Sequence, residues 1–399
     1  MPLRARSQWQ RRHRGSALRA ASRLADAQDL RRVRRTGRRA AGRTGRTQPF
    51  PRGAGGSPQH HRVPVGHRTG YGALPVRFLV TTPIPEPGMS ILRAAGDVEV
   101  PNQRLSAEEL RLRCASGAFD VVVAQLTDVF DKAVLENATI KGISNYAVGY
   151  DNVDVRAATR RGIVVGNTPG VLTDATADIA MLLMLATARR CVEADGFLRA
   201  GGYQGWQPEL LLGHDVSGAT LGLVGFGRIA RATAERALGF GMTVRYTVRG
   251  GALPADRLGH LAGRVQYADW DDLVRTSDFL SLHVPLTAET HHLVDARILR
   301  AMKPTACLIN TSRGPVVDET ALVAALRAGE IAGAGLDVYE DEPALADGLA
   351  ELPNTTLLPH IGSATRSVRS TMAALCAENA VAMARGQMPP HAVNPEAWR

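Results

Sequence analysis

Leu221-Gly222-Leu223-Val224-Gly225-Phe226-Gly227-Arg228-Ile229-Ala230 runs from a short apolar segment through a glycine-dense turn into a helix-compatible stretch that reaches Leu238. Gly225 allows a sharp strand-to-helix turn, and Gly227 carries no side chain to keep the backbone away from a pyrophosphate. The N–H groups that open the following helix would then face the anion. Ala230 stands where a third glycine is common, at a position that only has to be small for helix and strand to pack closely. One such turn is a weak signal, so its surroundings decide its meaning.

Composition divides the chain unevenly. The whole sequence has a formal net charge of +10, yet residues 1–75 contain many arginines, no lysine and only Asp26 and Asp29 as acids, so the basic character belongs to this leader. Clusters such as Arg31-Arg32-Val33-Arg34-Arg35 would suit phosphate contacts or a transit peptide. The leader has few large apolar residues and no periodicity, however, and such a segment cannot bury enough surface to order itself. We therefore expect residues 1–75 to be disordered, with translation starting near Leu74 to Arg77 and with no nucleic-acid role. No run approaches the roughly 20 apolar residues of a membrane helix. Cys114, Cys191, Cys307 and Cys376 are far apart and lack C-x-x-C spacing, which favours a reducing cytoplasm and no metal site.

From Val76 onward, apolar runs of strand length alternate with helical patterns, the sequence form of a parallel sheet covered on both faces. The first α/β unit reads as strands at residues 76–82, 98–100, 119–126, 141–146 and 163–166. One of its helices opens with the capping box Ser106-Ala-Glu-Glu109. Residues 173–190 form a long helix that is apolar nearly all round and so is expected to lie buried between two domains. Residues 191–217 break the alternation, and Gly201 to Pro208, with Trp206, reads as an exposed arm. In the second unit the strand at 243–248 should end in the acid that binds an NAD ribose. Val248 and Arg249 stand there instead, with no Asp or Glu between Glu235 and Asp256. A guanidinium there would pair with a 2′-phosphate, which leans the choice to NADP(H), with NAD(H) as the alternative. Further strands at 279–284, 306–309, 332–336 and 356–358 each lead into a polar loop, and ligands sit beyond such carboxyl ends.

Reduction of a 2-oxo acid needs a cation for the carboxylate, an acid to protonate the oxygen, and a group that keeps that acid charged. Arg313, His360 and Glu342 suit these roles, since a carboxylate beside an imidazole favours the imidazolium. Spacing alone does not choose Glu342 and His360 over the other strand-end residues His283 and Asp337.

Several motifs occur together in order: Asn145-Tyr-Ala-Val-Gly-Tyr-Asp-Asn-Val-Asp154, Asn167-Thr-Pro-Gly-Val-Leu-Thr173, Gly225-Phe-Gly-Arg-Ile229, Asn310-Thr-Ser-Arg-Gly314, Gly335-Leu-Asp-Val-Tyr339 with Glu342-Pro343, and Pro359-His-Ile-Gly-Ser363. The set resembles the D-isomer-specific 2-hydroxyacid dehydrogenases, in particular their glyoxylate/hydroxypyruvate reductase branch, over about residues 76–394. The resemblance implies an α/β fold of two doubly wound parallel-sheet domains, with a Rossmann-type cofactor domain (173–360) inserted in a flavodoxin-like substrate domain (76–172 and 361–399). It implies that Arg313 binds the carboxylate and carbonyl, His360 is the general acid and Glu342 supports it, while backbone N–H groups of Val148 and Gly149 help hold the carboxylate. Gly225, Phe226, Gly227, Arg228 and Ile229 would cradle the pyrophosphate, Val248 and Arg249 would meet the adenosine end, and His283, Val284, Pro285, Thr311, Ser312, Asp337 and Gly362 would line the rest of the cofactor. A homodimer is implied as well. The expected reaction is NAD(P)H-dependent reduction of glyoxylate or hydroxypyruvate to the D-2-hydroxy acid. A broader 2-ketoacid reductase, acting for example on 2-ketogluconate, and an NAD(H)-sensing corepressor-like protein are the alternatives.

Overall fold

The computed structural model describes residues 76–398, so the expectations for the Arg-rich leader lie outside the described residues. Strands β1 (Arg77–Val80), β2 (Asp97–Glu99), β3 (Val121–Ala124), β4 (Gly142–Asn145) and β5 (Val164–Gly166) form one wholly parallel sheet in the order β2-β1-β3-β4-β5. Every residue of β3 and β4 is buried, as expected for central strands covered on both sides. Alternate side chains feed two cores. Phe78, Val80 and Val121 pack with Leu92 of the helix Gly88–Ala95 and with Met372, Ala377 and Met383 of the helix Arg366–Ala384. Leu79, Val122 and Ile143 pack on the other face with Leu110, Phe130 and Leu135.

The C-terminal segment thus completes the first sheet. The Ser144 hydroxyl donates to the Cys376 carbonyl (2.7 Å), and the Val165 N–H donates to the Asn394 side chain (2.7 Å). The expected capping box is present: Ser106 accepts from the Glu109 N–H while Glu109 accepts from the Ser106 N–H.

The second sheet contains β6 (Thr220–Val224), β7 (Thr243–Thr247), β8 (Val265–Tyr267), β9 (Phe279–Leu282), β10 (Cys307–Asn310), β11 (Gly333–Leu336) and β12 (Thr355–Leu357). All seven are parallel, in the order β12-β11-β10-β9-β6-β7-β8. The direction of winding reverses between β6 and β9, and a crevice for a ligand opens at such a switch. The fold is therefore two doubly wound parallel-sheet domains, as expected.

The sequence pattern misses two elements and overstates the burial of a third. Edge strand β8 escapes it because it is three residues long and two of them, Gln266 and Tyr267, face solvent. Within residues 191–217, Cys191–Arg199 is a helix that precedes the Gly201–Pro208 stretch, and none of its side chains is buried. The helix Thr173–Ala188 is not buried all round: one side packs on the second sheet and on the helix Arg228–Gly239, but Leu182 is 46% exposed. Its close approach explains the glycines of β11, because a Cβ at Gly333 or Gly335 would lie 2.8 Å from Thr187 or Leu183.

Candidate active site

The opening glycine turn lies at the switch point. Gly225 follows β6 with φ +88°, a conformation that strongly favours glycine, and a Cβ there would sit 2.7 Å from the His283 carbonyl oxygen that follows β9. The two loops expected to carry cofactor therefore touch. Gly227 caps the 12-residue helix Arg228–Gly239 without a side-chain hydrogen bond, and a Cβ at Gly227 would meet nothing within 4 Å. That open approach, beside N–H groups with no intrahelical partner, fits a dinucleotide pyrophosphate. Phe226 is turned inward and stacks on Tyr246 at 4.3 Å, which fixes the turn from below, while Arg228 stays exposed and Ile229 half-buried.

At the end of β7, Val248 packs against the core while Arg249 points to solvent, without a salt bridge among the described residues. Val284 is half-buried and Pro285 exposed. His283 hydrogen-bonds Ser281 (2.9 Å), and burial of its ring lowers the imidazole to about 4, so it is neutral at pH 7. The residue as a whole is half-buried.

The remaining groups leave three adjacent strands. After β10, the Asn310 side chain accepts from the Ser312 N–H and hydroxyl (3.0 and 2.8 Å) and donates to the Arg313 carbonyl (2.9 Å), so the loop is braced before Arg313 extends from it. Thr311 keeps a buried hydroxyl with no partner among the described residues, a polar atom that a ligand amide or hydroxyl could satisfy. Gly314 must lack a side chain because a Cβ would collide with the backbone of Tyr339 and Glu340, which brings the β10 loop against the loop after β11.

That second loop holds Glu342 and the third holds His360. His360 Nδ1 lies 2.9 Å from Glu342 Oε2, and Glu342 Oε1 accepts the Tyr339 N–H at 3.1 Å. Burial pushes the Glu342 carboxyl up, but its hydrogen bond to His360 and the charge of that ring outweigh this and leave it below the usual carboxylate range. His360 has φ +54°, a strained backbone for a non-glycine residue costing on the order of 1 kcal/mol or more. Asp337 holds it there: its two carboxylate oxygens accept the N–H groups of Ile361 and Gly362, each at 2.7 Å. Burial nevertheless raises the Asp337 carboxyl against the pull of those donors and of His360. Geometry thus pairs His360 with Glu342, ties His283 to Ser281, and gives Asp337 to the backbone beneath His360.

The opposite wall comes from the first sheet. After β4, the Ala147 carbonyl accepts the Thr168 N–H (2.8 Å) and the Val148 carbonyl accepts from the Asn167 side chain (2.8 Å), which fixes the two peptide planes that carry the Val148 and Gly149 N–H groups; the Gly149 carbonyl accepts from the Asn145 side chain (2.9 Å). Arg313 lies across this turn so closely that a Cβ at Gly149 would collide with Nη2. Its Nε donates to both oxygens of Asp151 (2.9 and 3.1 Å) and its Nη1 to the Ser312 carbonyl (2.8 Å). Asp151, Asn145 and Asn167 were not singled out from the sequence as site residues, although all three stand inside the quoted motifs.

Comparison with known proteins agrees with this arrangement. Residues 181–362 match the profile of the D-isomer specific 2-hydroxyacid dehydrogenase NAD binding domain. A glyoxylate reductase from Thermococcus litoralis is 48% identical over 330 residues, spanning 80% of this chain and 96% of that protein. Among solved structures, a glyoxylate reductase from Paecilomyes thermophila superposes with a TM-score of 0.71 at 33% identity, covering 80% of this chain and 98% of that one. The NADPH-dependent glyoxylate/hydroxypyruvate reductase of Sinorhizobium meliloti, solved with NADP and malonate, gives a TM-score of 0.72 at 34% identity, covering 81% and 98%. The chain belongs to the D-isomer specific 2-hydroxyacid dehydrogenases and is an NAD(P)-dependent dehydrogenase.

Proposed function

We propose that this enzyme reduces glyoxylate and hydroxypyruvate to the corresponding D-2-hydroxy acids, with Arg313, Glu342 and His360 as its working groups. The observation that carries the reading is the His360–Glu342 pair at 2.9 Å, held beside an arginine that lies against the Val148–Gly149 turn. A nicotinamide dinucleotide with its pyrophosphate held at the glycine turn would supply hydride to the carbonyl carbon. Arg313 binds the substrate carboxylate and carbonyl oxygen through the edge that Asp151 leaves free, and the Val148 and Gly149 N–H groups hold the carboxylate from the other side. With Nδ1 committed to Glu342, His360 presents Nε2–H to the carbonyl oxygen and donates its proton there. The Glu342 carboxylate stabilises the imidazolium before transfer, and in the reverse direction the neutral ring takes the proton back.

Arg249 supports a preference for NADP(H): a solvent-facing guanidinium stands where an NAD site would carry an acid. The exposed Leu198, Tyr203 and Trp206 support a homodimer in which this region is covered. The division into a substrate domain (76–172 with 361–399) and a cofactor domain (173–360) is supported by the Thr176 hydroxyl, which donates to the Gly362 carbonyl where the outgoing and returning connections cross. A cytoplasmic location accords with four free cysteines, and no helix among the described residues is long and apolar enough to cross a membrane.

Steady-state assays of glyoxylate, hydroxypyruvate, pyruvate and 2-ketogluconate with each cofactor test the substrate. Faster turnover of 2-ketogluconate than of the two-carbon and three-carbon acids would overturn it. His360→Ala should lower kcat about 10²- to 10⁴-fold with cofactor affinity nearly unchanged, and undiminished turnover would refute the assignment.

A further inference from the structure

A second cluster of ligating groups stands apart from the proposed proton machinery. The loop that follows β9 reaches His291 and His292, whose rings lie against each other with centroids 4.1 Å apart and planes tilted by 31°. His292 adopts φ +50°, an unfavourable backbone for a non-glycine residue, and is held there by its N–H bond to the Pro315 carbonyl (2.8 Å). This conformation aims His292 Nε2 at Glu340 Oε1, 2.5 Å away. One ligand atom from each of His291, His292 and Glu340 lies within 4.8 Å of the others.

We propose that His291, His292 and Glu340 form a binding site for a divalent first-row transition metal of the zinc type. Two imidazoles and one carboxylate are a nitrogen-rich donor set that suits Zn²⁺, Co²⁺ or Ni²⁺ and not the all-oxygen preference of Mg²⁺ or Ca²⁺. Three protein donors leave a coordination position for water. The carboxylate is oriented from behind, because Glu340 Oε2 accepts the Glu319 N–H at 3.1 Å while the Glu340 N–H donates to Glu319 Oε1 at 2.7 Å. Ligands braced by such outer hydrogen bonds hold metal better than free side chains. The ion also ties the loop after β9 to the loop that carries Glu342, through residues that make none of the proposed substrate contacts.

The test uses the full-length enzyme, without a histidine tag and freed of metal, titrated with Co²⁺ and followed by its visible absorption, then with Zn²⁺ in competition with a chromogenic chelator. One equivalent per chain is expected, with a rise in Tm on saturation. His291→Ala alters an exposed side chain and should fold normally, yet bind at least tenfold more weakly; His292→Ala should behave alike. Cys191→Ser, at the exposed cysteine, should leave binding unchanged. The proposal is overturned if the wild-type chain takes up no metal, if both histidine variants bind as tightly as wild type, or if the Co²⁺ spectrum shows thiolate coordination lost in Cys191→Ser.

Discussion

Replacing Glu342 by Gln separates charge from shape at the centre of the site. An amide carbonyl can still accept the His360 Nδ1–H, so the ring keeps its tautomer and direction; the anion that stabilises the imidazolium is lost, and with it the bond from the Tyr339 N–H, which the amide NH2 cannot accept. A hydrogen bond between charged partners contributes about 1.5–3 kcal/mol against about 0.5–1.5 for a neutral one. The two side chains are 34% and 32% exposed, so solvent screens part of this and the lower end applies, a loss of about 1 kcal/mol. Since 1.36 kcal/mol corresponds to one pH unit, the alkaline limb of the kcat/KM profile for glyoxylate reduction should move about 0.7 unit toward acid in Glu342→Gln. Turnover above that limb should fall about fivefold, while the plateau at low pH should change much less. The rising limb for oxidation of the hydroxy acid should move the same way. The same carboxylate, held below its ordinary value, contributes folding stability that is present above the pKa of an unfolded carboxyl and lost as pH falls through the folded value; the amide removes that dependence. The assay is initial rate against pH in both directions. An unmoved limb with a uniformly depressed rate, or a limb displaced toward alkali, would refute the claim that Glu342 acts by charge on His360.

Arg249→Asp should change the ratio of kcat/KM for NADPH over NADH by tenfold or more in favour of NADH, since it replaces a charge-assisted contact with a repulsion; an unchanged ratio removes the basis for naming NADP. Gly149→Ala should displace Arg313 and raise KM for glyoxylate about tenfold or more with Tm nearly constant, and an unaltered KM would show that the contact is irrelevant to binding. His283 bears on stability. Because burial lowers its imidazole from 6.5 to about 4, the unfolded chain binds a proton in that window and the folded one does not. Stability is then complete above 6.5 and declines by up to about 3 kcal/mol as pH falls toward 4, levelling off below. Urea unfolding should show this slope flattened in His283→Gln; equal slopes would dispose of it.

Much of this architecture is legible in sequence because a parallel sheet buried on both faces writes itself as apolar runs, and the turns between them carry glycines required by backbone geometry, as at Gly225. What escapes is set by partners distant in the chain. Edge strand β8 exists because β7 offers it hydrogen bonds, and its solvent-facing Gln266 and Tyr267 carry no trace of that. The partnership of His360 with Glu342 cannot be read from spacing, since four strand-end residues have suitable chemistry and only the fold sends His283 to Ser281 and Asp337 beneath Ile361. Asp151 is invisible for the same reason: its partner is 162 residues away, on the other sheet. Gly149 is the converse case, in which a residue in a recognisable motif gets its reason only when Arg313 is seen lying over it.

Arg313, Glu342 and His360 extend from β10, β11 and β12, three strands that are immediate neighbours in one sheet. Their mutual spacing is therefore governed by the interstrand repeat of about 4.8 Å, whereas the Val148–Gly149 turn belongs to the other sheet. The spacing of these three side chains is thus a property of one sheet, whereas the contact of Arg313 with Gly149 and Asp151 spans both sheets. A displacement between the sheets would alter that contact and leave the three-strand spacing as it is.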